Sequence, residues 1–250
     1  MAMAWPDERS SRRELVEIAR EIYVRKLGAA GDGNLSVRVG ADRLLATPSG
    51  CHKGRLQPND FIAVDLAGRV LDHSGRKPSS ELSLHLAAYA RRDDIRAVIH
   101  AHPPMALACN LAGVQLSDVI VSEVVFAFGQ AATAPYTTPT TDDVGRVLGE
   151  YLACYDVVVM PRHGSVTVGA TLEQALIRLD ALEHTAHVVA MARLMGGGQP
   201  LPAAEVNRLY ERAYPDSEPR WRQPGANCPP LEPGAAPTCA CGGSCGGTGG

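Results

Sequence analysis

The stretch Ala97-Val98-Ile99-His100-Ala101-His102-Pro103-Pro104 decides how this chain is read. It reads as a short apolar strand, ended by two prolines that cannot extend a hydrogen-bonded ladder. Side chains alternate along a strand, so His100 and His102, two apart, point to one face. Imidazole nitrogens a few ångströms apart can grip a single ion, and zinc accepts three such ligands while keeping a position for substrate. The third ligand has to come from elsewhere in the chain. His163 fits best, because Pro161 to Gly164 turns tightly between two strands and lets the side chain point across a cleft. On spacing alone, unrelated core histidines remain the alternative.

Outward from this strand the chain mixes helices with hairpins. Ser11 and Glu14 match a capping box, Leu15, Ile18, Ala19, Ile22 and Leu27 recur with helical period, and Gly28 is a natural stop. Gly31-Asp32-Gly33 turns into the alternating Leu35, Val37 and Val39, with Arg43 to Thr47 as hairpin partner. Phe61 to Asp65 and Arg69 to Leu71 flank Leu66-Ala67-Gly68 as a second hairpin. Pro78-Ser79-Ser80-Glu81 opens a helix running to about Tyr89, with a serine as N-cap.

Val119 to Phe128 reads as an apolar strand, Thr133 to Tyr136 as another, and Thr141-Asp142-Asp143 as the start of a helix reaching about Tyr155. Asp156 to Met160 and Ser165 to Val168 form strands around the His163 turn. Thr171 and Gln174 make a second capping box before a long helix ending near Gly196. Frequent hairpins argue against a purely parallel sheet. From about Pro215 onward Pro, Gly and Cys dominate and periodicity vanishes, so residues 1–214 are expected to form one domain and 215–250 a disordered tail.

The formal charge of −3 provides no basic field to attract nucleic acid, which excludes that class of partner. No apolar run approaches the roughly 20 residues that span a bilayer. After Trp5 and Pro6 come Asp7, Glu8, Arg9, Arg12 and Arg13, too charged for a secretory core, so a cytoplasmic location without membrane contact is expected. Seven cysteines, an odd number, argue against a disulfide framework in such a protein.

Five motifs occur in a fixed order: Gly33-Asn34-Leu35-Ser36, Thr47-Pro48-Ser49-Gly50, Pro78-Ser79-Ser80-Glu81, His100-Ala101-His102-Pro103 and Arg162-His163-Gly164. Together they resemble the class II (zinc-dependent) aldolase/adducin-head family over roughly Leu15 to Gly197. The resemblance implies an α/β fold, a three-layer α/β/α domain with a central, largely antiparallel sheet. It implies a homotetramer with active sites between subunits, and Zn2+, or another divalent ion such as Fe2+, Mn2+ or Co2+, on His100, His102 and His163. Glu81 is implied to stand beside the ion, as acid/base and as a further ligand when no substrate is bound.

The resemblance also assigns a substrate phosphate to Asn34, Ser49, Gly50, Ser79 and Ser80. A predicted helix N-terminus at Ser79 and Ser80 suits an anion. The implied activity is aldol cleavage of a small phosphorylated ketose through a metal-stabilised enediolate. Dehydration or decarboxylation of a sugar or sugar-acid phosphate on the same site is the alternative, and a non-catalytic adducin-like binding module is a third. Glutamate at position 81 matches the family's aldolases, whose epimerase relatives carry aspartate there. The tyrosine used as a proton donor by the family's best-known aldolase falls at Val121, with Glu123 and Tyr136 as nearby substitutes.

Other polar residues receive plainer readings. His184 and His187 read as surface positions on the long helix, His52 and His73 as loop positions, and His85 as a helix position without a partner. Glu123 is either a buried charge or a group facing the cleft. The thiols of Cys228, Cys239, Cys241 and Cys245 could bind zinc or Cu(I), but their spacing lacks paired C-x-x-C motifs, which favours a variable extension.

Overall fold

Seven strands and seven α-helices, in a computed structural model, make up the architecture described for residues 5–29, 31–72, 75–216, 219–223 and 226–233. In chain order these are α1 (Glu8–Val24), β1 (Asn34–Gly40), β2 (Arg43–Ala46), β3 (Ile62–Val64), α2 (Leu82–Arg91), β4 (Ala97–Ala101), α3 (Pro104–Leu111), α4 (Glu123–Ala127), β5 (Ala131–Thr133), α5 (Asp142–Leu152), β6 (Val157–Met160), β7 (Gly164–Gly169), α6 (Leu172–Leu194) and α7 (Ala203–Ala213). The sheet order is β3-β2-β1-β4-β7-β6-β5. Every pairing is antiparallel except β5 with β6.

The three layers follow from alternation along the strands. On β1, Leu35, Val37 and Val39 join Leu15, Ile18 and Ile22 of α1 and Leu176 and Leu179 of α6 in one core. The opposite face of the sheet packs Leu44, Val64, Val98 and Val166 against Leu84 and Ala88 of α2 and Leu148 and Leu152 of α5. Helices α3 and α4 extend the first layer over β5 and β6. The expected α/β/α arrangement with a largely antiparallel sheet is therefore present. Among the described residues no helix is long and apolar enough to cross a membrane.

Helix α1 begins earlier than its capping-box pattern predicts. Asp7 is the N-cap, accepting from the Ser10 amide at 2.7 Å, while the Ser11 hydroxyl lies inside the helix and donates to the Asp7 carbonyl at 3.0 Å. A carboxylate at the helix start also suits the dipole. The helix stops at Val24, and Lys26, not Gly28, takes the left-handed conformation after it. At α6 the expected cap is present: Thr171 Oγ1 accepts from the Gln174 amide at 3.0 Å, and Gln174 Oε1 accepts from the Ala170 amide at 2.8 Å. Helix α2 has Glu81, not a serine, at its N-cap.

The apolar run Val119 to Phe128 is not a strand. Its second half is the single turn α4, which directs Val124 and Phe128 into one cluster and Val125 into another, leaving Phe126 exposed. Hydrophobicity without period-two alternation fits either element, and here helical spacing prevails. Glu123 is exposed at the start of that turn. Strand β5 covers Ala131–Thr133, so Tyr136 falls in the exposed loop beyond it. The hairpin after β3 is reduced to one bridge, Val64 to Val70.

The segment after Pro215 differs most from expectation. Trp221 and Leu231 pack against the α2–α5 core. The Thr133 amide donates to the Leu231 carbonyl at 2.7 Å and the Tyr155 hydroxyl to the Pro229 carbonyl at 2.8 Å. A disulfide joins Cys154 to Cys228. The described residues of 219–223 and 226–233 thus cover the outer edge of β5, because a few large apolar groups and one crosslink anchor a chain whose composition alone favours disorder. His73, Cys239, Cys241 and Cys245 lie outside the described residues.

Candidate metal centre

Two glycines make room for the site. Gly33, with a positive φ of 72°, lies so close to β4 that a Cβ would stand 2.5 Å from the His100 carbonyl oxygen. On the other side a Cβ on Gly164 would stand 2.4 Å from the Ala101 carbonyl oxygen and 2.8 Å from the His102 ring. No side chain fits at either position. Strands β1 and β7 can therefore close on β4 at the point where the two histidines leave it.

The three predicted imidazoles converge. His100 lies within β4, and His102 follows it with its amide bonded to the Leu27 carbonyl at 2.9 Å. His163 sits in the β6–β7 turn, closed by its amide to the Met160 carbonyl at 3.1 Å. Arg162 holds a positive φ of 60° in that turn, and its amide donates to Asn110 Oδ1 at 3.2 Å. Ring centroids are 4.8–4.9 Å apart, and one nitrogen from each ring lies within 4.8 Å of the others.

The outward partners of His100 and His102 favour inward Nε2 atoms. His100 Nδ1 is 3.0 Å from the Ser165 carbonyl oxygen and must donate to it, leaving a bare Nε2 on the neutral ring. His102 Nδ1 faces Asp32 Oδ2 at 3.5 Å, leaving its Nε2 only 3.1 Å from that of His100. The two oxygens of Glu81 face His100 Nε2 at 3.3 Å and His163 Nε2 at 3.2 Å. Lone pairs so close together repel unless a cation lies among them, and the outward bond from His100 to a carbonyl, with the Asp32 carboxylate behind His102, suits a divalent ion. The donor set fits such an ion.

Burial pulls the His102 pKa down to about 4, with the neighbouring His100 and His163 adding to the effect, so this ring is neutral and ligand-competent near pH 7. For Glu81 burial acts in the opposite sense, yet the neighbouring His100 and His163 rings outweigh it and hold the carboxyl well below its ordinary range.

A sequence model of the Class II Aldolase and Adducin N-terminal domain matches residues 13–190. The chain belongs to this family. It is 38% identical over 182 residues to methylthioribulose-1-phosphate dehydratase of Methylococcus capsulatus, covering 68% of this chain and 88% of that one. It is 34% identical over 187 residues to 3-oxo-tetronate 4-phosphate decarboxylase of Escherichia coli, covering 73% and 87%. The solved structure of an L-fuculose 1-phosphate aldolase superposes with a TM-score of 0.75 at 25% identity, covering 81% of this chain and 95% of that one.

In this class II aldolase family member, four of the five residues assigned to phosphate by resemblance lie on two joined loops. The Ser49 amide donates to the Lys77 carbonyl at 2.9 Å, the Ser79 amide to the Thr47 carbonyl at 3.1 Å, and Pro48 and Pro78 form a bridge. Ser49, Gly50 and Ser80 are exposed there, and Gly50 holds a positive φ with open space around it. Asn34 differs. Its side chain is buried, with Nδ2 donating to Glu81 Oε2 at 3.0 Å and Oδ1 facing His85 Nε2.

Sequence reading missed three participants. Asp32 backs His102, as above. Glu183 on α6 accepts from the Met105 amide at 2.9 Å and the Ala106 amide at 3.0 Å, capping α3 just after His102. His85 is fully buried behind Glu81, and burial, with the charge of His100 adding, pulls its pKa down to about 3. The recurrence of Glu81, His85 and Tyr89 every four residues was the available signal for His85. His184 and His187 are exposed on α6 as expected, and His52 packs on Tyr23 at 4.7 Å between centroids.

Proposed function

We propose that this chain is a metal-dependent lyase of a phosphorylated ketose or sugar acid, with a divalent ion held by His100, His102 and His163 and Glu81 as acid/base. One observation carries the reading: both oxygens of Glu81 face the inward nitrogens of the ligand histidines, at 3.3 and 3.2 Å. When bound, the ion supplies a Lewis acid for the negative charge that develops on the substrate carbonyl oxygen. Glu81 takes a proton from the carbon beside that carbonyl, or returns one to it. Ser49, Gly50, Ser79 and Ser80 hold the phosphate and set the distance between it and Glu81. An imidazole set suits zinc, with iron(II), manganese and cobalt as close alternatives.

Three outcomes share these parts. In aldol cleavage a carbon–carbon bond breaks and the remaining carbon is protonated. In dehydration the C–H electron pair forms a new double bond as hydroxide departs from the adjacent carbon. In decarboxylation the bond to the carboxylate breaks, its electron pair stays on the carbon beside the carbonyl as carbon dioxide leaves, and that carbon then takes a proton. Loss of water or carbon dioxide has the stronger support. Val121 stands where the family's aldolase tyrosine is expected, Glu123 and Tyr136 are exposed outside the histidine cluster, and the two relatives described above, at 38% and 34% identity, are named a dehydratase and a decarboxylase.

A cytoplasmic homotetramer with sites at subunit boundaries belongs to the same proposal. The exposed Val188, Leu194 and Met195 on and after α6 support association. The test is a zinc- or manganese-loaded enzyme incubated with a panel of ketose 1-phosphates and keto sugar-acid phosphates. Formation of a diketone or carbon dioxide supports elimination, and dihydroxyacetone phosphate supports cleavage. A chain that binds no stoichiometric divalent ion and turns over none of the panel is a binding module instead.

A further inference from the structure

Behind Glu81 two rows of polar side chains mesh. Glu81, His85 and Tyr89 form one stripe along α2, and Asn34 and Ser36 face it from β1. Four helical residues advance about 6 Å and two strand residues about 6.6 Å, so the rows stay in step. All but Glu81 are out of water: Ser36 is 0% exposed, His85 1%, Tyr89 2% and Asn34 3%. Buried polar groups can be satisfied structure and nothing more. Here, however, the acceptor-only carboxylate sets a direction that passes from bond to bond.

An ionised carboxylate only accepts, so Asn34 presents its NH2 group to Glu81 at 3.0 Å. Its carbonyl oxygen then faces His85, which must donate from Nε2. The other ring nitrogen, Nδ1, is left as an acceptor and takes the Ser36 hydroxyl proton at 2.7 Å. Ser36, its one proton committed, accepts from the Tyr89 hydroxyl at 2.8 Å. All donors point toward Glu81, and none of the four touches the inward nitrogens of the histidine cluster.

We propose that the chain Tyr89–Ser36–His85–Asn34 fixes the orientation of the Glu81 carboxylate, with His85 and Asn34 as positioning residues for its proton transfer. This rests on the reading of Glu81 as the acid/base group. It also removes the Asn34 side chain from the phosphate site and gives His85 a partner. A purely structural network needs only volume and satisfied bonds at position 85, whereas orientation of Glu81 needs a donor at the place of His85 Nε2.

The experiment compares the zinc-loaded full chain with His85→Leu and His85→Gln. Zinc content is expected to stay the same in all three. His85→Leu is expected to lower kcat roughly 10–100-fold, the usual cost of losing an orienting partner, with KM within about threefold. His85→Gln, whose side-chain amide still reaches Asn34 as a donor, is expected to recover most of the loss. Equal losses in both variants, or a raised KM at unchanged kcat, overturn the proposal. Nitrogen-15 spectra of histidine-labelled protein give a readout without turnover: His85 is expected protonated at Nε2 and bare at Nδ1, and the reverse tautomer overturns the proposal even if a variant fails to fold. If the unaltered enzyme turns over no sugar phosphate, the functional reading falls, while the tautomer still decides the direction of the chain.

Discussion

Asn34 stands directly across the β1–β4 ladder from His100, so the residue bonded to Glu81 and a residue of the histidine cluster are neighbours in register. The proposed acid/base group and the proposed ion site are therefore linked through backbone pairing as well as through side chains. Separating their contributions requires substitutions that disturb one and leave the other.

Glu81→Gln keeps the volume and the Asn34 contact but cannot carry the proton. Zinc content should stay at one per chain and kcat should fall by about 10²- to 10⁴-fold, the range for a lost general acid/base. Elemental analysis beside steady-state kinetics checks this. Loss of the ion together with activity would make Glu81 chiefly a ligand.

Asp32→Ala removes the carboxylate 3.5 Å behind His102. Affinity for zinc should drop about 10–100-fold with the three ligands intact. Competition with a chromogenic chelator measures the change, and an unaltered affinity would mean that the exposed Asp32 does not orient the ring.

Gly164→Ala forces a methyl group against the Ala101 carbonyl and the His102 ring. The expected result is a loss of about 1–3 kcal/mol, by analogy with overpacked interiors, together with weaker zinc binding. Urea unfolding with and without the ion separates the two effects. Wild-type stability in the variant would contradict the close approach of β7 to β4.

Ser80→Asp places a negative charge on the exposed rim assigned to phosphate. KM for a phosphorylated substrate should rise at least about tenfold while kcat changes little, the pattern of lost uniform binding. An unchanged KM would move the phosphate elsewhere.

Acid should destabilise the fold partly through His85. Its folded pKa is about 3 against an ordinary 6.5, so between those values the unfolded chain binds one more proton than the native one. Stability from this residue is complete above about pH 6.5 and falls as pH drops toward 3, with a limiting slope of about 1.4 kcal/mol per pH unit. His85→Gln should show a shallower acid dependence in urea titrations across that window. Parallel curves would mean that His85 is not neutral in the fold.

The parts legible in the sequence were those with local signatures. The prolines after His102 and the turn at Pro161 mark two strand ends, and the histidines there are found from spacing. His85 was not legible as a participant because its partner Asn34 lies 51 residues away on another element. The Val119–Phe128 run carries hydrophobicity without a period, so nothing local separates strand from helix. The packing of residues 219–223 and 226–233 depends on Trp221, Cys228 and Leu231 finding surfaces on distant elements, which composition cannot encode.

The meshing of α2 with β1 also bears on how the chain selects a single strand alignment. A one-residue slip of β1 would turn Leu35 and Val37 toward His85 and carry Asn34 and Ser36 into the apolar layer around α1. Several buried donors and acceptors would then be stranded at once, each at a cost of about 1–3 kcal/mol. The buried hydrogen bonds around His85 therefore favour the native alignment over a slipped one, so one polar stripe specifies which residues of two distant elements meet.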